Sequence, residues 1–505
     1  MPDATLHETL ELLKQAQAQA MDPLAKATFN QPGTATTGLQ TYNLEIGAKN
    51  LYPILSPLRN MIPRVGGQTS IQANWRAVTG VNTANMFAGV AEGRRGGIIS
   101  VGTAEYFAAF RTIGLEANAT FEAELSSAGF DDVRARAAKS SLESLMEAEE
   151  RLILAGSTSY SLNGGSAAPT PTLTSATSGG SLAQNTEFGV AVVPLTYEGK
   201  ARATVAGGVV QSITVNPAEG GTAVTVNGGT GRKSATATIT TANSGGSVHS
   251  ITATVTTSGV AGVRGAYAYA WFWGPTGSER LGAITTTNRV VITAAAAGTQ
   301  TLASITDTDN SKNDLVFDGL LTFAANAANN GYHFAAAPGA GLTADSAGGI
   351  LEIDAALRHF WDNYRLSPTR IIIGSQEMSA IRKKILAQPS AAAARFTFNV
   401  QQGQLVGGGM AKGYLNPYST GGGPAEIPFM LHPFMPQGTM LFICESLPYP
   451  LANVTNVMQI LTRRDYYQIE WPLRSRQYEY GVYSDQVLQH YFMPSLGVIT
   501  NLSDA

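Results

Sequence analysis

The sequence predicts an α+β protein with an all-β sandwich inserted into it. Three observations predict this class. A strictly alternating run leads out to a Gly- and Arg-rich tip and back again, the pattern of a long two-stranded ribbon. One long helical segment follows the ribbon. From about residue 157 to 314 helical periodicity vanishes and Ser, Thr, Gly, Val and Ala dominate; beyond Asp314 the helical pattern returns.

The chain has 505 residues, enough for two to four domains. Hydrophobic content of 44% supplies ample core, while 14% charged residues falls well below the roughly 25% usual for soluble chains. Low charge with 54 glycines points to surface that is covered by neighbours or held in β-sandwich structure. A net charge of −3 excludes a strongly basic nucleic-acid binder. Cys444 is the single cysteine, in an apolar run, so it reads as a small buried hydrophobe and no intrachain disulfide forms. Met1–Ala20 lacks a basic leader region, and no apolar run reaches the roughly 18 residues of a membrane span. A cytoplasmic product with no membrane association is expected.

Taken in order, residues 4–20 suit a short helix with Leu6, Leu10 and Leu13 on one face. Five prolines between 22 and 64 imply an extended arm. In the ribbon, Ile71, Ala73, Trp75 and Ala77 face one way and Gln72, Asn74 and Arg76 the other. The tip ends in Glu92-Gly93-Arg94-Arg95-Gly96-Gly97. The chain then returns from Ile98 to Ile113, with Val101, Tyr106, Phe107 and Phe110 as bulky members. An isolated ribbon buries too little apolar surface to offset its backbone entropy. It is expected to lie on another body, most simply a second copy of the chain. That favours an assembly component over a self-contained enzyme.

The long helix is expected from Asp131 to Ala155, opened by Asp131 and Asp132 and stopped by Gly156. Leu142, Leu145, Met146, Leu152 and Ile153 form its apolar stripe. Arg134, Arg136 and Lys139 come early and Glu143, Glu147, Glu149 and Glu150 late, an order that opposes the helix dipole. Lys139 with Glu143, and Glu147 with Arg151, offset part of that cost as i,i+4 pairs. The charged face reads as solvated, or as meeting other subunits or interior DNA.

In the inserted block, strands are expected at Gly189–Leu195, Val209–Val215, Ser234–Thr240, Ser250–Thr256, Ala266–Trp273 and Asn288–Thr293. Tyr267, Tyr269, Trp271 and Trp273 alternate, so one face of that strand should anchor an immunoglobulin-like or fibronectin-like sandwich. After it come a helix carrying Ile353, Leu357 and Phe360, a buried strand at Arg370–Ile373 and a helix near Gln376–Leu386. A Gly-rich region spans 401–427, and strands follow at Thr439–Cys444, Val457–Arg463, Tyr466–Trp471 and Tyr478–Tyr483.

This order resembles the HK97-like capsid fold of the tailed-bacteriophage major capsid protein family. Three segments carry the resemblance beside the ribbon. Ala148 to Gly156 looks like the end of the spine helix. Ala355-Ala356-Leu357 through Pro368-Thr369-Arg370-Ile371-Ile372-Ile373 looks like the A-domain helix and its strand. Asn453 to Val498 resembles the closing P-domain strands. The resemblance implies an N-terminal arm at 1–64, an E-loop at 65–115 and a P-domain with spine helix at 116–159. An inserted immunoglobulin-like sandwich then occupies 160–314, an A-domain 315–444 and C-terminal P-domain strands 445–505.

It further implies hexamers and pentamers tiling an icosahedral virion shell around double-stranded DNA, assembled in the host cytoplasm. Portal, scaffolding and cement or decoration proteins would be the other partners. Some relatives crosslink an E-loop lysine to an asparagine. This chain has no lysine between Lys49 and Lys139, so its contacts are expected to be non-covalent. With only a short segment ahead of the E-loop, scaffolding, if required, is expected from a separate protein. The expected assembly residues are Trp75, Arg76, Arg94, Arg95, Tyr106 and Phe107 of the E-loop, and Arg134, Arg136, Lys139, Glu143, Glu147 and Glu150 of the helix. Arg463, Arg464, Arg474 and Arg476 are candidates for interfaces or a DNA-facing patch.

No catalytic, cofactor or metal site is expected. The six histidines are scattered, and His359 beside Phe360 and Trp361 reads as packing. Gly407 to Gly413 lacks the ending of a phosphate loop. The competing readings are an encapsulin-type compartment shell, an extracellular adhesin or fibre protein, and a hydrolase with a binding module, which lacks any catalytic constellation.

Overall fold

The computed structural model describes residues 54–81, 89–98, 100–128, 131–217, 220–257, 260–346, 348–386, 400–401, 404–405, 411–419, 424–449 and 452–504. The expected helix at 4–20, the proline-rich arm to residue 53, part of the ribbon tip and the glycine loop at 406–410 lie outside these residues. The chain divides into two units, 1–52 with 121–133, and 53–120 with 134–505. In the smaller unit the described residues hold one short helix, Phe121–Ser127, with acids in its first turn.

The larger unit opens with a strut. Helix α1 (Pro57–Met61) begins with proline at its first position, where no hydrogen bond is lost. Strand β1 (Arg64–Val65) follows. Strands β2 (Gln72–Val81) and β3 (Val101–Ala109) form the ribbon, antiparallel, with Trp75 opposite Tyr106 and Arg76 opposite Glu105. The return strand is shorter than expected. It ends at Ala109, the buried Phe110 turns the chain, and β4 (Arg111–Thr120) joins a different sheet. Ile113 there packs with Leu145 and Val482, so burial against the long helix outweighs continuation of the ribbon. That helix is α2 (Val133–Ala155), 23 residues long.

The inserted block contains β5 (Thr172–Ala176), β6 (Glu187–Leu195), helix α3 (Tyr197–Arg202), β7 (Ala237–Thr240), β8 (Ser250–Thr254), β9 (Ala268–Gly274), β10 (Arg280–Thr285) and β11 (Arg289–Ile292). β5 and β10 were not among the expected strands. A three-stranded sheet, β11-β8-β5, faces a four-stranded sheet, β10-β9-β6-β7. Val190, Val192, Ile251, Ala253, Trp271, Trp273, Val290 and Ile292 fill the space between them. The opposite face of the larger sheet is also buried, through Val193, Leu195, Phe272 and Leu281 against Leu302 and Ile305. This explains why β6 and β9 read as continuous apolar runs.

Tyr267 departs from the expected sandwich core. It joins the main core with Tyr197, and its hydroxyl donates to the Leu321 carbonyl at 2.9 Å. The two chain segments that enter and leave the insert run in contact: Gly319 N–H bonds Gly156 O at 2.8 Å and Asn313 N–H bonds Ser157 O at 2.8 Å. A Cβ on Gly156 would stand 2.2 Å from the Phe317 carbonyl oxygen, so this glycine serves close packing as well as stopping the helix.

Beyond the insert lie α4 (Leu320–Ala325), β12 (Tyr332–Ala335), α5 (Leu351–Tyr364), β13 (Arg370–Ile373), α6 (Ser375–Leu386), β14 (Gly413–Leu415), β15 (Glu426–Leu431) and β16 (Met440–Ile443). β17 (Met458–Glu470), β18 (Gln477–His490) and β19 (Leu496–Thr500) close the chain. A six-stranded sheet has the order β12-β19-β16-β13-β15-β14, and a four-stranded sheet the order β1-β17-β18-β4. Two expectations change here. The separate strands expected at 457–463 and 466–471 are one 13-residue strand, with register shifts at Thr462/Arg464 and Arg464/Tyr467 absorbing the polar interruption. The closing segment is also divided, because β19 pairs with β16 and β12 in the six-stranded sheet.

Candidate assembly site: a half-seated ribbon and a buried carboxylate pair

The ribbon is not carried as freely as its sequence suggests. Ala73, Trp75 and Phe110 join the core that contains Leu58, Leu320, Ile460 and Leu488. Trp75 stacks on Tyr106 with centroids 5.9 Å apart and meets Tyr491 edge-on at 6.4 Å. The expectation that the ribbon rests wholly on another copy is therefore corrected: its base rests on its own body. Trp75 and Tyr106 belong to this seat. The seat is incompletely filled, with a cavity of about 420 Å³ beside Trp75, Tyr106, Phe317 and Phe323, and the buried Trp75 Nε1 has no protein partner.

Farther out the support ends. Val78 is 67% exposed, Val101 52% and Ile98 fully exposed, and Phe107 on the outer face is 73% exposed. Arg76 pairs with Glu105 at 3.1 Å on the same outer face, both well exposed. Arg94 and Arg95 are exposed in the tip turn, where Gly93 takes a positive φ of 74°.

The helix charges divide into two groups. Lys139 pairs with Glu143 at 3.8 Å and Arg151 with Glu147 at 2.5 Å, as the spacing predicts. Arg136 is half-buried on the same helix. Arg134 is committed within the chain. It donates to the Tyr480 hydroxyl at 2.5 Å and to Glu470 at 3.1 Å, and lies 4.0 Å over the Tyr478 ring.

Glu150 overturns its expected role as a charge offered to other subunits. It is fully buried, as is Glu149. Its carboxylate accepts the Leu58 and Arg59 backbone N–H groups at 2.8 and 2.7 Å and meets His432 Nε2 at 2.7 Å. Glu149 takes Arg64 at 2.5 Å, Arg59 at 3.2 Å and the Tyr466 hydroxyl. Both guanidinium groups lie over the Tyr466 ring, at 5.0 and 4.9 Å. Burial first, then the Glu149 charge, pushes the Tyr466 phenol well above its usual range. The buried carboxylates are tolerated because Glu149 is met by two guanidinium groups and a phenol, and Glu150 by two backbone N–H groups and the His432 ring, which replace water. Late acids near a helix C-terminus made sense only with such partners. Those partners lie 85 to 317 positions away in sequence, and no local pattern marks them.

Arg463 pairs with Asp485 at 3.4 Å and lies 5.5 Å over Phe110; Arg464 lies 4.0 Å over Tyr467. Arg474 and Arg476 are exposed in the turn between β17 and β18. Cys444 is buried, and burial raises its thiol pKa far above the ordinary value. His359 packs against Tyr332 at 5.0 Å. Among the described residues no group of three or more His, Cys, Asp or Glu stands ready for a metal. No described helix is long and apolar enough to cross a membrane.

No protein-family profile matches the chain, and no curated protein does. Several solved shells are similar to it. The capsid of the native GTA particle is 8% identical, with 92% of this chain and 96% of that chain covered and a TM-score of 0.42. The capsid of Myoviridae phage XM1 is 10% identical over 93% and 100%, with a TM-score of 0.40. The holo-encapsulin complex from Synechococcus elongatus is 8% identical over 91% and 93%, with a TM-score of 0.38. Likeness at this level decides nothing about function, and the reading below stands on the chain's own residues.

Proposed function

We propose that this chain is the major capsid protein of a tailed double-stranded DNA bacteriophage, of HK97-like fold, that assembles into hexamers and pentamers of an icosahedral shell. The observation that carries the reading is the half-seated ribbon. Its base is fixed by Trp75 and Tyr106; Val78, Ile98 and Val101 farther out, and Phe107 on the outward face beside the base, stand in water. A rigidly aimed arm with uncovered apolar residues gains most by lying on a neighbour. Contacts of roughly 1,200–2,000 Å² repeated around each subunit would hold a shell without covalent links.

In this reading Arg76, Arg94, Arg95 and Phe107 contact the neighbouring subunit, and Arg136, Lys139, Glu143 and Glu147 of the long helix meet other subunits. Arg474 and Arg476, at an exposed hairpin turn, meet packaged DNA or another subunit. The inserted sandwich is immunoglobulin-like and stands on the outer face, clear of the shell wall. Portal, scaffolding and cement proteins complete the virion, which assembles in the host cytoplasm. The chain performs no catalysis and needs no cofactor.

Negative-stain microscopy of the purified protein tests the reading. Closed polyhedra are expected, and deletion of Val81–Gly97 should leave soluble capsomers or monomers. Normal shells from the deletion would refute the ribbon's role. Fibres would favour an adhesin. Polyhedra that enclose protein cargo, with no route to packaged DNA, would favour an encapsulin.

A further inference from the structure

We propose that Glu149 and Glu150 form a clasp that seats the strut of residues 54–65 and opens independently of the body behind it. The proposal concerns the single chain and does not depend on the shell reading.

The strut lies at the edge of the sheet it joins, with Leu58 and Ile62 reaching into the core. β1 is an outermost strand, pairing in parallel with β17 only at Arg64–Ile460 and Val65–Leu461. The long antiparallel pairing of β17 with β18 involves no residue of the strut. α1 has five residues, far fewer than the roughly 12 needed for marginal stability alone. Its own N-cap residue, Ser56, makes no side-chain cap bond. The Glu150 carboxylate supplies that cap from another helix, taking the N–H groups of Leu58 and Arg59. Apart from the clasp, the strut is held by Leu58 and Ile62 in the core, by the two-residue pairing of β1 with β17, by Arg64 on Asp465 and Gln486, by the Thr462 hydroxyl on the Val65 carbonyl, and by the flanking bonds Ile460 N–H to Pro63 O and Gln68 N–H to Thr462 O.

The charged and titratable groups facing the pair come from every element around it: Arg59 and Arg64 on the strut, Glu147 and Arg151 on α2, His432 after β15, and Asp465 and Tyr466 on β17. Tyr197 on α3 faces it too, with its phenol raised to about 12 by burial. Two adjacent dry carboxylates are an unstable arrangement unless all these partners are in register. Loss of one partner leaves a charge uncompensated, so the cluster accepts one seated position of the strut and rejects near misses. Gly66 and Gly67 follow directly, Gly67 with φ of 86°, and then the ribbon begins. Opening the clasp therefore frees the segment that leads into the ribbon, while Ala73, Trp75 and Phe110 keep the ribbon's base in the core.

Hydrogen exchange by mass spectrometry on the full chain tests this. In E149Q and E150Q, the amides of Leu58 and Arg59 and the rest of the 56–65 segment should exchange at least tenfold faster, with β16 and β19 unchanged. Unchanged strut exchange overturns the proposal. So does an equal acceleration throughout the chain, which would make the pair part of the general core. If the variants do not fold, native-state exchange of the wild type in rising sub-denaturing urea decides. The strut should open as one unit before the body, and exchange only through global unfolding would overturn the proposal.

Discussion

At the scale of single residues, the fold carries two kinds of buried polar group. Glu149 and Glu150 are dry but fully partnered. His490, at the end of β18, is dry and has no protein partner on either ring nitrogen; its ring lies 6.2 Å from Phe323. Burial pushes its imidazole down to about 3. His333 is lowered to about 4, by burial first and then by the Arg264 charge. Both are neutral in the folded chain, while in the unfolded chain they titrate near 6.5. Below about pH 6.5 the unfolded chain therefore binds more protons than the folded one, and stability falls as pH drops. The loss is about 1.4 kcal/mol per pH unit per group, and it levels off near the folded values. Above pH 7 these groups contribute no pH dependence. His490→Phe replaces an unsatisfied ring with an apolar one of similar shape, which is near neutral or stabilising at pH 7.5. The variant should lose less stability than the wild type between pH 7.5 and 4.5, measured by urea midpoints. An identical fall in both proteins would contradict the account.

At the scale of elements, the ribbon separates two roles that its sequence merges. Trp75 and Phe107 are both large aromatics on opposite-facing positions of one hairpin, and alternation marks both as candidates for contact. Trp75 is nearly buried and Phe107 is 73% exposed. Trp75→Ala should cost about 3–5 kcal/mol, the usual range for emptying an aromatic site, and should make the ribbon base a new protease target. Phe107→Ala should change the stability of the unassembled chain by no more than about 0.5 kcal/mol. It should nevertheless reduce shell yield, scored by sedimentation of assembled particles. Equal effects of the two changes on the monomer would refute the half-seated description. The same contrast shows what was legible. Period-two alternation revealed the ribbon, and the Asp131–Asp132 and Gly156 boundaries revealed α2. Alternation could not say which face was covered, because Ala73 and Ala77 give a weak apolar stripe. The clasp was invisible: Arg59, Arg64 and His432 are ordinary surface residues until folding gathers them. β18 runs to His490 through Val487, Leu488 and Gln489, buried on both faces, and so shows no alternation to extend it.

At the scale of the molecule, the insert is built into the body. The abrupt loss of helical period from Ser157 marks where the strand-rich block begins, and composition says nothing of how that block is mounted. Tyr197 and Tyr267 send their rings into the core that holds Ile153, Leu154 and Leu321. The Thr322 hydroxyl donates to the Gly156 carbonyl at 2.6 Å, across the base of the insert. A Cβ on Gly319 would lie 2.6 Å from both Ala155 N and Leu152 O, so the two crossing segments and the end of α2 form one packed joint. A sandwich mounted this way moves with the end of the helix and does not swing on a linker. Cutting it out removes two buried aromatic rings and leaves the Leu321 carbonyl without its donor, a loss of about 1–3 kcal/mol for the hydrogen bond alone. Replacing residues 160–314 with a short Gly-Ser linker should therefore lower the melting temperature of the remaining body by many degrees or leave it insoluble. Tyr267→Phe, which removes only the hydroxyl, should produce a smaller but measurable drop in the whole chain. A remaining body that melts at the temperature of the intact protein would show the insert to be a detachable appendage and would sink the integrated joint.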